Sequence, residues 1–231
     1  MTGTRKHQVP YVAPADVAEA LRVQDELRSR VDLVGPGPAA PTTVAGLDVA
    51  YAESGDRLAA AVTVLDATTL AVVDEAVSVG RPAFGYVPGL FAFREMPALL
   101  AALDRLTVRP ELLVCDGHGL AHPRRFGLAC HLGLVTGLPA IGVGKTPLVG
   151  EWAEPGLERG AWTPLCDGGE EIGRVLRTRD GVKPVFVSVG HRMGLANAAD
   201  RVLALTPRFR LPETTRTADR LSRRALAAAL A

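Results

Sequence analysis

A change of rhythm along the chain constrains its fold most. Residues 44–51, 58–65 and 71–79 read as three strands, joined by short polar turns at 53–56 and 66–69, as in a meander of hairpins. From residue 111 the pattern alternates. A short strand (111–116) precedes a helix (124–136) and a strand (139–143). Two further strands (175–179 and 184–189), a helix (194–205) and an Arg/Ala-rich closing helix (219–230) follow. A meander followed by alternating strands and helices predicts the α/β class, with one mixed sheet and helices on both faces. The strand at 184–189 is expected in the sheet or at its edge. Ahead of the meander, Val17, Leu21, Val23, Leu27 and Val31 mark an amphipathic helix, with Asp16 as N-cap and Glu19 three residues on. After the Gly/Pro loop at 80–89 a helix is expected over 94–106, which puts Pro97 in its first turn. No repeat or long linker divides the 231 residues, so one domain spanning 1–231 is expected, with 1–13 as an N-terminal arm.

Composition excludes several classes. The net charge is +1, so a nucleic-acid surface would have to be a local cluster of Lys and Arg. Cys115, Cys130 and Cys166 are odd in number and lack CxxC spacing, against a disulfide framework or structural zinc. The start, MTGTRKHQVP, has charge but no apolar core, and no apolar run approaches a membrane span. A cytoplasmic protein with no membrane association is expected, and no obligate protein partner is evident.

Several polar residues stand out against this background. Asp48 lies in an otherwise apolar run and shares a strand face with Val44, Gly46 and Ala50. An ionised carboxylate there costs several kcal/mol unless a cation or donor meets it. A backbone-bonded Asp at a bulge beside Gly46 is the alternative. Asp116 ends a strand and precedes Gly117, His118 and Gly119, at the kind of strand end where open α/β sheets place ligand groups. A simple Asp-Gly turn competes, but His118, His122, Pro123, Arg124 and Arg125 crowd the next positions. Glu95 heads the stripe Leu99, Leu103 and Leu106, which aims it at the sheet; a macrodipole-favoured acid at a helix start is the plainer reading. His191 follows a strand through Gly190, and an ordinary surface His beside Arg192 competes. Three acids without Cys ligands favour a hard, oxygen-ligated ion such as Mg²⁺, which mainly serves phosphoryl chemistry.

One motif is a decoy. Residues 142–146, GVGKT, follow a strand, but a phosphate-binding loop of the GxxxxGK[ST] kind needs Gly where Pro139 stands. Lys145 can instead meet a phosphate at the same sheet end.

Taken in order, VAGLDV (44–49), YVPG (86–89) with FRE (93–95), DGHGLAHPRR (116–125), IGVGK (141–145), GHR (190–192) and LPETTR (211–216) closely resemble endonuclease V. The likeness spans about residues 15–225. It implies a ribonuclease-H-like fold and Mg²⁺-dependent hydrolysis, with Mn²⁺ expected to substitute. The expected cut is at the second phosphodiester 3′ to deoxyinosine, leaving 3′-hydroxyl and 5′-phosphate ends and initiating repair of deaminated purines. By the same resemblance Asp48, Glu95 and Asp116 match metal-binding acids, His191 a catalytic His, and Lys145 a Lys near the reacting phosphate. Tyr86 matches a strand-separating wedge. Pro88, Gly89, Gly117, His122 and Arg124 belong to the segments expected to bind the lesion. Gly85 stands where the family often has Pro, which removes one constraint from the wedge loop. DNA containing deoxyinosine is the expected partner. Inosine-containing RNA is the alternative substrate, and a non-catalytic inosine-binding module the alternative class.

Overall fold

A computed structural model describes residues 8–231, so the first seven residues of the expected arm lie outside the described residues. Residues 8–11 run along the core: Gln8 N–H donates to the Val135 carbonyl, Val9 is buried, and the Tyr11 ring meets His131. The first helix, α1 (Val17–Arg28), is capped by Asp16, whose side chain accepts from Glu19 N–H at 2.8 Å. Glu19 in turn accepts from Ala15 N–H at 2.7 Å.

The expected meander is present as β1 (Thr43–Tyr51), β2 (Leu58–Asp66) and β3 (Val72–Gly80), paired antiparallel. β4 (Leu112–Asp116) and β5 (Ala140–Gly144) add parallel to β1 in turn. β8 (Val185–His191) joins β5 antiparallel and carries the hairpin β7 (Glu170–Leu176) and β6 (Trp162–Asp167). The result is one eight-stranded mixed sheet, β3-β2-β1-β4-β5-β8-β7-β6, of the ribonuclease-H-like kind. β8 is therefore internal.

Helices cover both faces. Ala45 and Leu47 pack with α2 (Phe91–Leu103) and α3 (Leu128–Thr136). Val44, Val114 and Ile141 pack with α4 (Leu195–Ala204) on the opposite face, where α5 (Glu213–Leu230) crosses β1 and β2. β2 is buried from Leu58 to Leu65 because it lies between α2 and α5. Gly46 sets the closeness of α5: a Cβ there would sit 2.0 Å from the Thr214 carbonyl oxygen. Only glycine lets α5 lie this low, and that seating brings Asp219 of α5 near Asp48 in β1.

Several boundaries differ from the sequence reading. α2 begins at Phe91, so Pro97 is inside the helix rather than in its first turn. Proline cannot donate to the carbonyl four residues back; that oxygen, on Phe93, accepts instead from the Tyr11 hydroxyl at 3.5 Å. α3 starts at Leu128 because the preceding basic pair forms a turn, with Arg125 at φ +55°. The strand expected at 175–179 is the tail of β7, and β6 had no counterpart. The closing helix starts at Glu213, not Asp219. Cys115 and Cys130 are buried free thiols, and Cys166 is also free. No helix of the described residues is long and apolar enough to cross a membrane.

Candidate active site

β1 and β4 run side by side with Leu47 opposite Cys115, so the next residues, Asp48 and Asp116, stand together at the strands' carboxyl ends. α2 brings Glu95 to the same end from one face, and α5 brings Asp219 from the other. The four acids, with Lys145 just beyond β5, line a cleft of about 1230 Å³. Tyr51, Tyr86, Phe91 and Arg94 form part of its wall.

Each of the three expected acids is met by a group of the chain itself. Asp48 Oδ2 accepts from the Ser222 hydroxyl at 2.7 Å, and Glu95 Oε1 accepts from the Tyr51 hydroxyl at 3.0 Å. Lys145 Nζ pairs with Asp116 Oδ2. Burial, with the neighbouring charges of Asp116 and Asp219, pushes the Asp48 carboxyl up to about 6 against the relief from Ser222. Burial pushes Glu95 well above the usual carboxylate range, aided by Asp48 and Asp116. Lys145 is held above its ordinary value: its ion pair with Asp116 outweighs partial desolvation, the largest single influence. Crowded, protonation-prone carboxylates with one lysine among them are a site short of positive charge. Among the described residues no three His, Cys, Asp or Glu side chains are drawn close enough to hold a metal ion already. The donor set, all carboxylate oxygen, nonetheless fits a hard divalent cation.

Asp219 had no place in the sequence reading. Its Oδ1 is held by Arg223 Nε at 2.9 Å, one turn along α5. Within the helix it looks like an ordinary solvent-facing acid among arginines. The signal that could have found it is its position three residues after the LPETTR motif, on a helix that Gly46 admits against Asp48.

His191 does not join the cleft. Its strand runs antiparallel to β5, and His191 pairs with Ala140 at the start of β5, whereas Asp116 pairs with Val143 near its end. The imidazole is buried, and Nδ1 accepts from Asp32 N–H at 3.1 Å. Its position at a strand's carboxyl end was read correctly, but that strand points to the other end of the sheet. Arg124 also lies apart: its guanidinium pairs with Asp25 of α1 and lines neither pocket described here.

Beside the cleft opens a smaller pocket of about 290 Å³. Pro88, Gly89, Gly117 and His122 line it, and Tyr86 and Phe91 line both cavities. The Tyr86 ring is 71% exposed, so it is not a loop aromatic tucked into the core. It touches Phe91 edge-on at 6.4 Å between ring centres. His122 Nδ1 accepts from Arg124 N–H at 3.1 Å, so Nε2 carries the proton and donates to the Gly89 carbonyl at 2.9 Å. Burial pushes His122 down to about 4, so it stays neutral and clamps the wedge loop. Gly142 and Gly144 serve packing rather than phosphate binding: a Cβ on either would collide with the 117–119 loop, at Gly144 2.3 Å from the His118 ring.

An acid cleft and a small side pocket thus share an exposed tyrosine, and comparison with known proteins decides the family. Residues 25–220 match the family described as Endonuclease V. The chain belongs to the endonuclease V family. Endonuclease V of Streptomyces coelicolor is 61% identical over 220 residues, covering 95% of this chain and 94% of that one. The crystal structure of Streptomyces avermitilis endonuclease V superposes with a TM-score of 0.92 at 58% identity, covering 96% of this chain and 98% of its own. Endonuclease V of Ciona intestinalis, solved with a 24mer DNA containing an inosine followed by a ribo-adenosine, superposes with a TM-score of 0.79 at 25% identity, covering 92% and 98%. The chain is thus a nuclease, like its endonuclease V relatives, rather than a non-catalytic module.

Proposed function

We propose that this protein hydrolyses DNA at the second phosphodiester 3′ to deoxyinosine, as a first step in repair of deaminated purines. The observation that carries this reading is the pairing of cavities. A pocket near the lower limit of small-molecule sites opens beside the acid cleft, with Tyr86 and Phe91 on the shared wall. A base extruded into the small pocket leaves the backbone downstream of it in the cleft, which separates reading from cutting.

Extruding hypoxanthine is easier than extruding a well-paired purine, and the exposed Tyr86 ring can stack where the base has left. Without side chains, Gly89 and Gly117 let a base approach the backbone of the pocket closely. In the cleft, Asp48 and Asp116, with Glu95, would hold a divalent cation, Mg²⁺ in the first instance with Mn²⁺ as substitute. A cation there would polarise the phosphoryl oxygen and lower the pKa of water. Ser222 and Tyr51 fix the carboxylates of Asp48 and Glu95 by donating to one oxygen of each. Lys145, freed from Asp116, can reach a non-bridging phosphate oxygen. In place of His191, which lies outside the cleft, Asp219, steadied by Arg223, would take the proton from the attacking water. Water oxygen bonds to phosphorus, the bond to the 3′ oxygen breaks, and 3′-hydroxyl and 5′-phosphate ends result.

The test is cleavage of matched DNA and RNA duplexes, each with one inosine, in Mg²⁺. A single nick in the DNA, two bonds 3′ to the lesion, is expected. A strong preference for the RNA would move the substrate to inosine-containing RNA, through the 2′-hydroxyl.

A further inference from the structure

We infer that Gln24, on α1, is a positioning residue that sets the selectivity of the small pocket. This rests on the reading of that pocket as the lesion site. Gln24 is 1% exposed, on a helix otherwise occupied with packing and surface ion pairs. Its Nε2 donates to the Gly89 carbonyl at 2.9 Å and to the Phe126 carbonyl at 3.2 Å. Gly89 belongs to the wedge loop, and Phe126 precedes Gly127 in the basic loop; Gly89 and Gly127 both line the pocket. One amide therefore ties together two loops that enclose the base.

Three further features single out this bond pair. The Gly89 carbonyl accepts twice, from Gln24 and from His122 Nε2 at 2.9 Å, so two elements distant in sequence fix one wall residue. Gly89 sits at φ +79°, a conformation that glycine holds only loosely unless its peptide is anchored. Gln24 Oε1 is itself buried without a partner. A buried amide that satisfies only its donors is present for those donors. With both carbonyls tethered, the backbone that lines the pocket keeps a fixed position, and a fixed set of polar groups can reject a base whose 6-position hydrogen-bonds in the opposite sense.

The experiment compares Gln24→Met, which keeps length and removes both donors, with Gln24→Asn, which keeps the amide but is one methylene too short to span both carbonyls. For each, kcat and KM are measured in Mg²⁺ on duplexes carrying inosine or, at the same position, adenine. We expect the inosine-to-adenine ratio of kcat/KM to fall about 10-fold or more in both variants. The fall should come through KM for inosine, with kcat within about 3-fold of wild type. An unchanged ratio, or a loss in kcat alone, overturns the inference. So does failure of both variants to fold, which would make Gln24 a core residue and nothing more. If the wild type itself ignores the inosine duplex, the lesion reading falls instead, so the two failures are distinct.

Discussion

The two ends of the sheet carry buried ionisable groups of opposite character. At the carboxyl ends of β1 and β4, Asp48, Glu95, Asp116 and Asp219 converge and repel one another, with Lys145 against Asp116. At the far end His191 is alone, tied to the Asp32 backbone, and burial with neighbouring Arg192 lowers its affinity for protons. The first end is unsatisfied as it stands and gains from an added cation. The second holds a single imidazole whose Nδ1 is met by the chain and whose Nε2 is buried without a hydrogen-bond partner among the described residues. Both follow strands and both neighbour glycine in sequence or register, so motif context alone does not tell them apart; strand direction does.

Breaking the acid end should give the largest effects. Asp48→Asn or Asp116→Asn should lower metal-dependent cleavage by at least ~10³-fold while the fold persists, since each removes a ligand and a repelled charge. Single-turnover cleavage with circular dichroism checks both halves. Asp219→Asn should lose roughly 10²-fold or more, as expected of a group that takes the proton from the attacking water. Near wild-type rate in that variant would return the proton acceptor to some other side chain.

Tyr86→Ala sharpens the comparison from the lesion side. Stacking worth roughly 1–3 kcal/mol should be lost on a duplex, and less on a single strand where no partner strand must be displaced. Equal losses on both would remove the wedge role.

The two ends should also titrate in opposite senses. For metal-free protein, Asp48 binds its proton more tightly folded than unfolded, since its value is raised to about 6. Its charge therefore destabilises the fold above pH ~6, and that penalty disappears as pH falls towards ~4. Wild type should be less stable than Asp48→Asn at pH 7 by on the order of 2–3 kcal/mol, with the gap closing by pH ~4 and shrinking on addition of Mg²⁺. His191 behaves inversely. Its folded value is lowered, so the stability it supports is present above pH ~6.5 and declines below it. Thermal melts from pH 4 to 8 measure both trends.

The smallest effect on rate belongs to His191. His191→Ala should cleave within about 3-fold of wild type while losing roughly 1–3 kcal/mol of stability, because a buried side chain is lost and Asp32 N–H is left without its acceptor. A hundredfold loss of rate at unchanged stability would put His191 back among the groups acting on substrate.

What the sequence revealed, and what it hid, follows the same physical division. The meander was legible because β1, β2 and β3 are apolar runs cut by polar turns of fixed length. Asp48 was legible because a charge in such a run needs a reason, and Glu95 because it heads a buried helical stripe. β6 was not, since Thr163 and Pro164 break its apolar pattern and it lies at the sheet edge. Asp219 was hidden because its value comes from α5 crossing β1 at Gly46, a contact between residues far apart in sequence. His191 misled because strand direction is a tertiary property. Arg124 was read by its company in DGHGLAHPRR, but its side chain turns towards Asp25 on α1.

The most direct measurement is nicking of a DNA duplex with a single deoxyinosine, mapped to the nucleotide, by wild type, Asp116→Asn and His191→Ala side by side in Mg²⁺. The expected result is one cut two phosphodiesters 3′ to the lesion by wild type and His191→Ala, and none by Asp116→Asn. Undiminished cutting by Asp116→Asn, or cutting as rapid on the matched adenine duplex, would contradict the assignment of the acid cleft and the neighbouring pocket.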